Sequence, residues 1–159
     1  TGEVMGMDKD FGLAYAKSQI SSGNSLPTRG LAFISLQDKH KNEGVDLAKK
    51  LVELNFTLCG TEGTANAIKK NGIKCKKINK VSGGSPHIID ILNAKKIALV
   101  INTGGGKRAY RVQDSTSLRR ATLINKVPYC TNMSTAYACI EGIKSLKLKK
   151  INVRAIQEL

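Results

Sequence analysis

Two short, unbroken apolar runs, LAFISL over residues 31–36 and IALVI over 97–101, stand out along a mostly amphipathic chain. Runs of this length without alternation predict strands covered on both faces. After the first run, apolar positions return at helical spacing. Val45, Leu47, Ala48, Leu51, Val52 and Leu54 form one stripe, which predicts a helix over 43–55. The rhythm continues as strand 56–60, helix 63–71, strand 75–79, a short helix 87–94 and strand 97–102. A helix around 115–126, a strand 128–131 and a helix 134–147 follow. Repeated βα units predict right-handed crossovers, with helices on both faces of the sheet. The expected fold is α/β, a Rossmann-like three-layer sandwich with a central, mainly parallel five-stranded sheet over residues 29–159.

Residues 1–28 stand outside this rhythm. They read as a loop, a helix at roughly 9–21 and a linker punctuated by Gly23, Asn24 and Pro27. The helix shows an apolar face of Phe11, Ala14, Tyr15 and Ile20 with no evident cover. It is therefore expected to belong to something preceding the sheet domain.

Composition narrows the class. Hydrophobic residues make up 41% of the 159 and charged residues 24%, as in soluble globular proteins. No apolar run approaches the ~20 residues of a membrane span, so no membrane partner is expected. Cys59, Cys75, Cys130 and Cys139 lack any C-x-x-C spacing and read as buried reduced thiols, which fits a cytoplasmic location. The net charge of +14 reads either as a lysine-rich solvated surface or as a field for anionic ligands. With 4% aromatics and no nucleic-acid-binding motif, a nucleic-acid partner is not expected.

The candidate chemistry lies where the second strand meets its helix, in CGTEGTANAIKKNG. Thr61 stands at the N-cap position. Thr64 takes the place a capping-box Glu or Gln would fill, on the same side of the first turn. Hydroxyls, free backbone amides and the positive end of the helix dipole suit an anion, and Gly63 leaves room for one. A plain Thr-capped helix remains the alternative at this point. In an open α/β sheet, ligands lie outside the carboxyl ends of the strands. Ser35, Lys41, Lys80 and Asn102 are expected to reach the same crevice. The glycine loop with Lys107 and Arg108 lies nearby, either as part of the site or as a mobile loop. General bases are scarce there. His40 reads as a surface-loop residue and His87 as a helix-start residue within reach of Asp90, while Asp38 reads as facing water. This balance favours binding over catalysis, with a stand-alone phosphate-ester lyase as the runner-up.

The segments FISLQDKHK, VDLAKKLVELNFTLCGTEGTA, INKVSGGSPHIID, VINTGGGKRA and SLRRATLINKVPYCT, in this order, carry a resemblance. They resemble the C-terminal allosteric, methylglyoxal-synthase-like domain of the bacterial-type carbamoyl-phosphate synthase large chain. TGEVMGMDKDFGLAYAKSQI resembles the end of that chain's second ATP-grasp synthetase unit. The resemblance implies a nucleotide monophosphate effector, UMP or IMP, bound by Ser35, Lys41, Thr61, Thr64, Lys80, Asn102 and Thr103. It also implies a partial ornithine site at Tyr129 and Thr131. The family often has a hydroxyl after its Asn-Thr pair, where this chain has Gly104. The loop between Arg108 and Leu118 is longer than in the enteric form. Methylglyoxal synthases carry catalytic Asp and His residues where this chain has Ser85-Pro86-His87 and Ser35, so the lyase reading loses its chemistry. The implied partners are the ATP-grasp domains, a small glutaminase subunit and, as a homo-oligomer, further copies of this domain. No catalytic residue, metal or cofactor is implied for these residues; ATP with Mg or Mn would serve the parent chain.

Overall fold

The computed structural model describes residues 3–104, 109–153, 155 and 157. Five strands form one sheet: β1 (Gly30–Ser35), β2 (Phe56–Gly60), β3 (Lys76–Lys77), β4 (Ile97–Asn102) and β5 (Tyr129–Cys130). Their order is β3-β2-β1-β4-β5, and every recorded pairing is parallel. The helices are α1 (Phe11–Ser21), α2 (Lys41–Glu53), α3 (Glu62–Lys70), α4 (Ile88–Asn93), α5 (Ala109–Ile124) and α6 (Met133–Leu148).

Strands β1 and β4 are apolar from Leu31 to Ile34 and from Ile97 to Ile101 because each is roofed twice. On one face Ala32, Ile34, Leu99 and Ile101 meet Leu47 and Leu51 of α2, Ile68 of α3 and Ile140 of α6. On the other, Phe33 and Val100 pack with Ile88 and Leu92 of α4 and Leu118 of α5. Burying a large side chain of this kind contributes about 1.5–3 kcal/mol. These layers hold the strand ends that carry the site.

Three elements depart from the sequence pattern. β3 has two residues rather than the expected 75–79, although Ile78 N–H still donates to Gly60 O at 2.9 Å. The chain then turns away from the edge, and Asn79 O accepts from Ile88 N–H at 3.3 Å. α5 starts at Ala109, well before 115, where no apolar stripe announces it. A 3-10 turn over Asp38–His40 leads into α2 and draws its start back to Lys41.

The first helix is not uncovered. α1 lies against α6, and it buries Gly12, Leu13 and Ala16 rather than Phe11 and Ile20, which are 64% and 43% exposed. Glycine explains the difference, since a Cβ at Gly12 would stand 2.3 Å from Ser145 Oγ and 2.4 Å from Glu141 O. Small residues permit a backbone approach that a hydrophobicity pattern does not register. Asp10 secures the contact. Its carboxylate caps α1 through Leu13 N–H at 2.9 Å and accepts from Ser145 Oγ and Lys149 Nζ, each at 2.6 Å.

Candidate functional site

Strand register fixes the geometry. Ser35 pairs with Asn102 and Ile34 with Gly60, so Ser35, Thr61 and Asn102 leave the sheet side by side. The strand order reverses between β1 and β4, and a crevice at such a switch point is where open α/β sheets hold ligands.

Thr61 occupies the N-cap of α3 in extended conformation, but its side chain makes no capping bond. Its hydroxyl lies 3.3 Å from Thr64 Oγ1 and 3.4 Å from Ser35 Oγ. Both threonines are buried, at 5% and 2% exposure. Thr64 Oγ1 accepts from Leu36 N–H at 3.0 Å and so pins the end of β1 to α3. A lysine accounts for Gly63: a Cβ there would sit 3.1 Å from Lys41 Nζ. The Lys41 ammonium thus lies over the first turn of α3, where backbone amides and the dipole favour an anion.

A cavity of about 390 Å³ opens at this point, with Lys41, Thr61, Thr64, Lys77 and Lys80 in its lining. Two carboxylates share it. Asp38 Oδ1 lies 2.6 Å from Lys41 Nζ, and Glu62 Oε1 lies 2.5 Å from Lys77 Nζ. The hydrogen bond from Lys77 holds the Glu62 carboxyl below its ordinary value. Among the described residues, no ion pair is recorded for Lys80.

A second cavity of about 400 Å³ adjoins the first, and Leu36, Asp38, Thr61 and Lys80 line both. Phe33, Val81, Ile88 and Leu118 give it an apolar wall; Ser35, Gln37, Asn102 and Ser115 supply polar groups. Asn102 is committed on both sides, donating from Nδ2 to Tyr129 OH at 2.9 Å and accepting from Gly104 N–H at 3.0 Å.

Six of the seven residues expected at an effector site therefore line one or both cavities. Thr103 does not. Its hydroxyl accepts from Gln37 N–H at 3.2 Å and lies 3.1 Å from His40 Nδ1. That contact makes His40 a partly buried residue of the turn instead of a surface-loop residue. Tyr129 is half-buried, with the Arg119 guanidinium 5.8 Å from its ring centre, and Thr131 is exposed just beyond β5. Lys107 and Arg108 lie outside the described residues. Asp38 faces water at 94% side-chain exposure, as its lysine neighbours predict, yet it is paired with Lys41. His87 stands at the start of α4, where its N–H donates to Asp90 at 2.8 Å and its Nδ1 lies 3.2 Å from the same carboxylate. Sequence reading missed Lys77 and Glu62. Glu62 lies between the two threonines of the quoted stretch and Lys77 in no motif, and they meet only because β3 runs beside β2.

The model of the MGS-like domain matches residues 43–131, and the chain belongs to that family. The fold agrees: the solved methylglyoxal synthase of Elizabethkingia anophelis superimposes with a TM-score of 0.56 at 17% identity, covering 72% of this chain and 79% of that one. More specifically, the chain is 46% identical to the carbamoyl phosphate synthase large chain of Mesorhizobium japonicum, over 99% of its own length and 13% of the relative's. It is 43% identical to the C-terminal sections of that large chain from Methanopyrus kandleri and Aquifex aeolicus, covering 29% and 30% of them. The chain thus spans under a third of each of these curated relatives.

Proposed function

We propose that this chain is the allosteric regulatory domain of a glutamine-hydrolysing carbamoyl-phosphate synthase large chain and binds a nucleotide monophosphate, UMP or IMP. The observation that carries the reading is the shared cavity in which Lys41 and Lys80 flank Thr61 and Thr64 at the start of α3. A phosphoryl group fits this cationic end, and the adjoining cavity, with apolar wall and polar edge, suits ribose and base. Its volume lies within the roughly 300–1,000 Å³ of small-molecule sites. The His87–Asp90 pair lines neither cavity, so it is not placed to act on a ligand bound there.

On this reading the effector acts by linkage. A nucleotide that prefers one arrangement of the domain junction biases remote ATP sites, with a coupling of about 1–3 kcal/mol. The regulated product, carbamoyl phosphate, feeds pyrimidine and arginine synthesis. ATP with Mg or Mn, the small glutaminase subunit and most of the ornithine site belong to the remainder of a cytoplasmic enzyme. By the resemblance, residues 1–28 form the tail of its preceding synthetase unit, packed through α1 into this domain's core. Tyr129 and Thr131 would supply this domain's share of the ornithine contacts.

Calorimetric titration with UMP and IMP tests the proposal. Binding of at least one nucleotide is expected, weakened about fivefold to tenfold in Lys80→Ala, because one partly solvated charged contact is lost. Silence of the wild-type protein toward both nucleotides at millimolar concentration overturns it.

A further inference from the structure

The phosphate end of the site carries its own counter-charges. Lys41 is held by Asp38 and Lys77 by Glu62, and all four residues line the cavity with Lys80. Three ammonium groups against two carboxylates leave one net positive charge in the notch. Glu62 sits in the first turn of α3, where a carboxylate gains from the same dipole and amides that would attract a phosphoryl group.

We infer that Lys77 is a third phosphate-binding cation, and that Glu62 and Asp38 neutralise Lys77 and Lys41 until a phosphate monoester dianion displaces them. The inference rests on the nucleotide reading above and adds a mechanism of selectivity to it. Binding is an exchange of anions: each lysine releases an exposed carboxylate and takes a phosphoryl oxygen. A singly charged carboxylate ligand gains little from the swap, because it only replaces one carboxylate with another. A dianion with three acceptor oxygens can engage all three lysines at once. Surface ion pairs of this exposure are weak enough to be exchanged.

The arrangement predicts opposite effects of substitutions on the two halves of one ion pair. Glu62→Gln is expected to bind UMP or IMP, and inorganic phosphate, about twofold to fivefold more tightly than wild type. It should also melt slightly earlier, since the first turn of α3 loses a carboxylate. Asp38→Asn should tighten binding in the same direction through Lys41. Lys77→Gln should weaken binding about threefold to tenfold, and adding Glu62→Gln to it should recover little. Unchanged or weaker phosphate binding in both Glu62→Gln and Asp38→Asn, with Lys77→Gln like wild type, overturns this inference and leaves the nucleotide reading intact. Absence of wild-type binding to UMP, IMP and inorganic phosphate alike removes both. All four side chains reach solvent, so these variants are expected to fold; thermal melts of each confirm it before titration.

Discussion

The hydroxyl of Thr64 accepts the backbone N–H of Leu36 at 3.0 Å, joining the first turn of α3 to the residue that follows β1. This threonine is a structural tie, independent of any ligand. Thr64→Ala leaves a buried N–H without its partner and is expected to cost about 1–3 kcal/mol. Thr64→Ser keeps the acceptor and should cost much less. Urea denaturation of the two variants distinguishes them, and equal stability would remove the tie. A loss of nucleotide binding in Thr64→Ala alone therefore says little about ligand contact.

Asn102 and Tyr129 make a second such tie, between β4 and β5. Tyr129→Phe removes the acceptor from a buried amide and is expected to lower stability by about 1 kcal/mol. Thermal melting checks the loss. A melting temperature equal to wild type would mean that the Asn102 amide finds another partner.

Acid should loosen the contact between α1 and α6. Hydrogen bonds from Lys149, then Ser145, then Leu13 N–H hold the Asp10 carboxyl well below its ordinary value of 3.8. The folded chain thus binds that proton more weakly than the unfolded chain. The resulting stability is present above the ordinary value and is lost as pH falls below it. Melting temperature measured from about pH 6 downward should fall more steeply for wild type than for Asp10→Asn in that acid range. Parallel curves would show that Asp10 is not the group responsible.

Gly12 leaves no room for a side chain. An added Cβ would press on Glu141 O at 2.4 Å, a backbone atom that cannot swing aside. Gly12→Ala should displace α1 from α6 and cost about 1–3 kcal/mol, the range of overpacking. Chemical denaturation reads the cost, and protease susceptibility near Lys9 and Lys17 should rise with it. A neutral substitution would show that the two helices separate without consequence.

The parallel sheet was legible because its central strands are roofed twice and therefore read as unbroken apolar runs at 31–36 and 97–101. Thr61 and Thr64 were legible because hydroxyls three residues apart at a strand–helix junction have few purposes. Thr103 was placed with Asn102, yet successive side chains at a strand end point to opposite faces. Asn102 meets the cavity while Thr103 turns to Gln37 and His40. The Lys77–Glu62 pair spans 15 residues and depends on β3 lying beside β2, which no local pattern encodes. The buried face of α1 was misread for a related reason: its key residue, Gly12, contributes nothing to a hydrophobic stripe.

The Asp10 bonds to Ser145 and Lys149 bridge 135 and 139 positions of chain. During synthesis α1 precedes by more than a hundred residues the surface that receives it, which is translated only with α6. At about 5–20 residues per second, the helix waits several seconds or longer for its seat. Over that interval Leu13 and Ala16 remain solvated, or are sheltered by whatever else the growing polypeptide or a chaperone offers.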